Sequence, residues 1–265
     1  RTDLKIKLPK IKLKDTAYFS DEQLEASQDK VKKLELNTLK IPSGDLTNGP
    51  LILSHALSGC DLIVSTGTST FEEIEDALSV ISFGYLNKKE GLLPSIDDLK
   101  KAYSSSVAKD MLKDKITLLH CTTEYPTPLI DINLKAMLSM KDRFELKVGY
   151  SDHSEGILVP ISASSLGACV IEKHLTLDKD DVGPDHKASI EPKEFREMVK
   201  SIREVETILG DGRKVPRSSE LKNLKVARKS LVAKEKIKSG EFDKLDNPIK
   251  NAPHTDLELS SDEWK

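Results

Sequence analysis

Lys147-Val148-Gly149-Tyr150-Ser151-Asp152-His153 begins apolar and ends in polar, coordinating groups, and Cys169-Val170-Ile171-Glu172-Lys173-His174 repeats the plan. Between them, Gly156 to Gly167 reads as a short apolar helix carrying Ile157, Ile161 and Leu166. A strand–helix–strand unit of this length joins two parallel strands by a right-handed crossover. Strand side chains alternate faces, so Ser151 and His153 share one side, as do Glu172 and His174. If the strands are neighbours, both histidines sit at carboxyl ends, where parallel α/β folds place their chemistry. Two imidazoles with carboxylates nearby and room for water make an open divalent metal site. Either histidine alone reads as a strand-end hydrogen bond; the pair at matching ends favours metal.

Upstream the same rhythm recurs. Thr38-Leu39-Lys40-Ile41 is a short strand ended by Pro42-Ser43-Gly44-Asp45, and a helix follows from about Gly49 to Leu57. Leu62 to Thr66 is the next strand. Thr70 and Glu73 form a capping box on a helix whose stripe is Phe71, Ile74, Leu78 and Ile81. Gly84 to Lys115, charged and Ser-rich, reads as a partly helical excursion without a sustained apolar face. Ile116 to Cys121 is the third strand, leading into Thr122-Thr123-Glu124-Tyr125-Pro126 and a helix from Ile132 to Met140. Past the central unit, Pro192 opens a helix with Phe195, Met198, Ile202, Val205 and Leu209 as its buried face, and Gly210 stops it.

Five strand–helix units in a row predict a parallel sheet flanked by helices. No GxGxxG and no GxxxxGK[ST] is present, which weakens nucleotide-binding folds. In every unit polar residues gather after the strand, and one polar rim built from many strand ends is the barrel pattern. Ser20 to Lys33 reads as a capped helix, and Arg1 to Lys14 as a solvated basic arm. Gly212 to Ser219 is a polar linker, and Val226 to Ala233 alternates like a strand.

A net charge of −3 offers no basic footprint for nucleic acid or an anionic membrane, and no run of 18 apolar residues suggests a span. Three cysteines near predicted strands, without CxxC spacing and read as buried, point to a reducing cytoplasm rather than a disulfide framework.

Six motifs in order resemble the N-acetylneuraminate (sialic acid) synthase family: Lys40 to Asp45, Val64 to Gly67, Leu119 to Pro126, Gly149 to His153, Glu172 to Asp178 and Gly183 to Ser189. Arg228-Lys229-Ser230-Leu231-Val232 resembles the start of that family's antifreeze-like (SAF) module. The resemblance implies an α/β fold, a (β/α)8 TIM-type barrel over residues 1–211, whose first strands are missing from this sequence. A linker would span 212–225, and part of a β-rich SAF module 226–265. It implies condensation of phosphoenolpyruvate with N-acetylmannosamine or a related N-acetylated hexosamine, giving a nine-carbon 2-keto sugar acid and phosphate. His153 and His174 match the manganese ligands, with magnesium or cobalt as substitutes. Lys40, Ser43, Ser65, Thr122, Tyr125, Ser151 and Asp185 match phosphoenolpyruvate or sugar contacts; His174, Glu172 and Asp185 match positions at the reacting centre. A homodimer exchanging its C-terminal modules is also implied.

The family's opening strand motifs and the Arg-Pro-Gly-like motif of its terminal module are absent, and Thr123 stands where many members carry Asn or Ser. Legionaminate-, pseudaminate- and sialic acid 9-phosphate-type synthases are nearby variants. A non-catalytic homologue that binds sugar or dimerises, and an unrelated zinc-dependent barrel hydrolase, are the alternatives from other classes. His55, His120, His186 and His254 read as structural or solvent-facing.

Overall fold

The computed structural model describes residues 35–87, 91, 93–183 and 185–228. Five strands, β1 (Thr38–Ile41), β2 (Asp61–Ser65), β3 (Ile116–His120), β4 (Lys147–Asp152) and β5 (Ile171–Lys173), form one sheet in chain order. All four pairings are parallel, so the strand–helix–strand units expected from the sequence are realised one after another. The readings of Ser20–Lys33 and Arg1–Lys14 fall outside the described residues.

The ladder register sorts the strand residues into two faces. Leu39, Ile41, Leu62, Val64, Ile116, Leu118, Val148 and Tyr150 point one way and form the core with the helices. Lys40, Ile63, Ser65, Thr117, Leu119, Gly149, Ser151 and Glu172 line the other face. That second face is concave. Edge strands β1 and β5 are four spacings apart, about 19 Å in a flat sheet, yet Lys40 Nζ lies 3.5 Å from Glu172 Oε1. A lysine and a glutamate cannot reach across a flat sheet of that width, so the strands are rolled around their polar ends.

Local chemistry explains where the helices sit. In α1 (Gly49–Leu57), Asn48 Oδ1 accepts from the Leu51 amide, and Pro50 occupies the first turn. The Thr70–Glu73 capping box opens α2 (Phe71–Asn87), which buries Ile74, Leu78 and Ile81. Gly84 lies within this helix rather than ending it, and a Cβ there would run into Ala56 of α1.

The partly helical excursion expected here carries two helices, α3 (Ile96–Ser104) and α4 (Ser106–Lys115), separated by the extended Ser105. Their buried pairs, Leu99 with Ala102 and Ala108 with Leu112, are short stripes that the surrounding charge obscures. Next, α5 (Lys135–Phe144) starts later than predicted because Leu129–Asp131 makes a 3₁₀ turn first; it ends on left-handed Glu145.

In α6 (Leu158–Ser165) the buried residues are Val159, Pro160, Ala163 and Ser164, not the expected Ile157, Ile161 and Leu166. The helix packs on the sheet through its small residues. In α7 (Pro192–Leu209), Pro192 and a Glu191–Glu194 capping box open the first turn, and Gly210 (φ 60°) ends the helix. Of its predicted face Met198 is buried, Ile202 and Val205 are half-buried and Phe195 and Leu209 are exposed; the helix packs against α6.

The chain divides into two compact units at Gly210/Asp211. Among the described residues of the second, α8 (Ser218–Leu221) and α9 (Leu224–Ala227) are single helical turns, the first beginning where Arg217 pairs with Asp211. The strand expected from Val226 therefore does not begin there: Val226 and Ala227 complete a helical turn, local hydrogen bonding having overridden a weak alternation. Its remainder lies outside the described residues. Of the cysteines, Cys121 is buried, Cys60 half-buried and Cys169 exposed, all three free; Cys169 precedes β5 instead of lying within it. No described helix is long and apolar enough to cross a membrane.

Candidate active site

The concave face carries a chain of polar contacts running from one sheet edge to the other. Lys40 Nζ donates to Ser65 Oγ at 2.8 Å and lies beside Glu172. Ser151 Oγ donates to Glu172 Oε1 at 2.7 Å and lies 3.5 Å from His153 Nε2. Strand alternation produces this set directly: Ser151 is in register with Glu172, and Lys40 and Ser65 project from β1 and β2 on the same side.

His153 follows β4. Its Nδ1–H donates to the Thr122 carbonyl at 2.7 Å, which leaves Nε2 as a lone-pair nitrogen facing the Tyr125 hydroxyl at 3.2 Å. Burial, and secondarily the neighbouring His174, lower its pKa below the ordinary 6.5, while the Thr122 carbonyl opposes the shift. The ring is therefore neutral at pH 7, the form a metal requires. His174 lies one residue beyond β5, its ring centre 5.3 Å from that of His153 and nearly perpendicular, at 89°. With metal–nitrogen bonds of about 2.1 Å, two imidazoles sharing one ion have centres about 4.7–5.4 Å apart at octahedral to tetrahedral angles. The observed spacing falls in that range. Among the described residues no group of three or more His, Cys, Asp or Glu is placed to hold a metal ion.

Tyr125 stacks over His153 at 4.2 Å and over His174 at 5.4 Å, closing one side of the pair. Burial, then the nearby Cys121, Asp185 and Glu172, raise its phenol pKa, so it stays protonated and donates to His153. Asp185, in the left-handed region at φ 71°, brings Oδ2 to 3.9 Å from His174 Nδ1.

Two of the predicted contact residues are engaged elsewhere. The Thr122 hydroxyl donates to the Asp131 carbonyl, so this residue serves the site through its backbone oxygen. Ser43 accepts from the Gly67 amide and lies 3.2 Å from Cys121 Sγ, knitting the β1, β2 and β3 exits together. A Cβ on Gly67 would collide with Thr123, Ser43 and Cys121, so only glycine fits there. Sequence reasoning misses this tight packing at Gly67; its place directly after a strand is the one available signal.

Of the other histidines, His55 and His120 bond the Leu51 and Ile132 carbonyls, and His186 bonds Thr176; these are structural.

The sequence model of the NeuB family matches residues 10–214. The chain is 47% identical over 216 residues to the N,N'-diacetyllegionaminic acid synthase of Campylobacter jejuni, covering 82% of this chain and 57% of that protein. It is 34% identical to the human N-acetylneuraminate-9-phosphate synthase, covering 80% of this chain and 52% of that one. Among solved structures, the N-acetylneuraminic acid synthetase of Leptospira borgpetersenii superposes with a TM-score of 0.60 at 34% identity, over 78% of this chain and 62% of that one. The chain spans about half the length of the curated relatives it matches. A family match over most of the chain, with the rolled parallel sheet and its polar rim, leads to one conclusion: the chain belongs to the NeuB family.

Proposed function

We propose that this chain supplies the concave wall and metal-binding pair of a synthase that condenses phosphoenolpyruvate with an N-acetylated hexosamine, forming a nine-carbon 2-keto sugar acid and releasing phosphate. The observation that carries it is the chain of polar groups on the concave face, where one lysine, serine hydroxyls, a carboxylate and two imidazoles converge from β1, β2, β4 and β5. The legionaminic acid synthase relatives favour a legionaminate-type sugar over the sialic acid 9-phosphate type, their identity being higher.

Phosphoenolpyruvate is polyanionic, and Lys40 with the Ser65 and Ser151 hydroxyls answers that charge by charge-assisted hydrogen bonds. Ser43 holds the Gly67 amide and the Cys121 thiol in place beside them. In the reaction, carbon 3 of phosphoenolpyruvate bonds to the sugar's aldehyde carbon, water adds at carbon 2, and the carbon 2–oxygen bond to phosphate is resolved as phosphate leaves. Glu172, between Lys40 and Ser151, is placed to accept or return a proton. Tyr125 and Asp185 border the sugar side of the pocket, and Tyr125 keeps His153 oriented. His153 and His174 would hold a divalent ion, manganese by family resemblance, which when bound polarises the aldehyde oxygen and orients water.

The five strands would be the fourth to eighth of a (β/α)8 barrel, whose remaining strands would cover the open edges of β1 and β5. Residues from 226 onward would begin an antifreeze-like module exchanged within a homodimer. A phosphate-release assay with phosphoenolpyruvate, a panel of N-acetylated hexosamines and Mn²⁺ tests the reading. Release that requires both sugar and metal is expected; release independent of sugar, or none with any hexosamine, overturns it.

A further inference from the structure

Outside the concave face, on the opposite side of the same two strands, lies an ion pair shielded from solvent. Asp152 and Lys173 are in register on the last rung of the β4–β5 ladder, and both side chains are 0% exposed. Lys173 Nζ donates to Asp152 Oδ2 at 2.7 Å and also to the Ser154 carbonyl. Asp152 Oδ1 accepts from both the amide (3.0 Å) and the hydroxyl (2.8 Å) of Ser154. The two charges of this cluster are answered within it.

Such a cluster is an odd choice for stability alone. Removing two charges from water costs more than an apolar pair in the same space, and buried pairs replaced by apolar residues are often neutral or more stable. What an ion pair adds is direction. β5 has only three residues and one sheet neighbour among the described residues, so its register is defined by three rungs and by the flanking Cys169–Val148 and Val170–Tyr150 backbone hydrogen bonds. A slip of one residue would turn Glu172 and His174 to the core face and Lys173 to the concave one. His153 and His174 are the next residues after the paired rung, one just past each strand. The Ser154 hydrogen bonds tie the chain just past His153 to the same lysine.

We infer that Asp152 and Lys173 are positioning residues: their buried pair locks β5 in the one register that sets the His153 and His174 rings face to edge at the rim. This inference rests on the proposed metal-dependent function only for its consequence. The register itself is a property of the chain and can be read without metal.

The test uses the full chain with Lys173→Met and the double variant Asp152→Leu/Lys173→Met. In the wild type, a nuclear Overhauser effect between the His153 and His174 ring protons is expected without metal. In the double variant, thermal stability within a few degrees of wild type is expected. There the Overhauser effect between the rings should vanish, and Mn²⁺ affinity, read by electron paramagnetic resonance, should be at least tenfold weaker. If the apolar double variant keeps the Overhauser effect, or fails to fold when the wild type folds, the pair is a stability element and the inference is overturned. Should Lys173→Met alone fail to fold, the double variant decides. A wild-type chain that shows the Overhauser effect but binds no Mn²⁺ would overturn the proposed function while leaving the positioning role to be judged by the ring proximity alone.

Discussion

At the scale of single residues, the site works by giving each group one task. His153 holds its proton on Nδ1 toward Thr122, so Nε2 accepts from the Tyr125 hydroxyl; His174 is 35% exposed beside it. His174→Ala is expected to weaken Mn²⁺ binding at least tenfold in a resonance titration, while urea denaturation shifts by about 1 kcal/mol or less, since the ring lies at the rim. Lys40→Met removes a charge-assisted bond worth about 2 kcal/mol. It is expected to lower kcat/KM for phosphoenolpyruvate by roughly 30-fold, with Mn²⁺ affinity unchanged. Both predictions follow from side chains identifiable in the sequence. The roles of Thr122 and Ser43 do not, because a hydroxyl's partner depends on the loop that surrounds it.

At the scale of elements, strand alternation decides which residues meet. Gly149 faces the concave side of β4, where a Cβ would strike the Val170 carbonyl and the Leu119 side chain. Gly149→Ala is expected to cost about 1–3 kcal/mol by thermal or urea unfolding, the range for forcing a methyl into a packed interior. The capping box makes the start of α2 readable to the residue, since both partners are three apart in sequence. Charge hides the stripes of α3 and α4, and the residues that α6 buries differ from the apolar ones its sequence offers. That face depends on which neighbour covers it, not on the helix's own pattern.

For the whole molecule, burial of neutral imidazoles links stability to pH. Burial is the largest cause lowering the pKa of His55, opposed by the Leu51 carbonyl and by Asp45, and of His120, opposed by the Ile132 and Asn133 carbonyls. The unfolded chain, with histidines near 6.5, binds more protons than the folded one between the folded and unfolded values. Stability is therefore full above about 6.5 and falls as pH drops through the lowered folded values. Thermal melts from pH 7.5 to 5 are expected to show a falling midpoint, and the fall should shrink in His55→Gln/His120→Gln. A midpoint that rises on acidification would contradict the sign.

The sequence by itself determined the succession of strands and helices and the polar residues at each strand exit. Periodicity, caps and turn residues act within a few positions of one another, so they are written locally. Only the tertiary structure decided that Lys40 at one edge meets Glu172 at the other, because the roll of the sheet is a sum over five strands and no single strand encodes it. It alone revealed the Asp152–Lys173 pair: a lysine beside a rim histidine looks solvated in sequence, yet its side chain is wholly shielded from solvent. The nearness of the two rings stood between these cases, with its residues visible in the sequence and its distance set by a register that burial enforces.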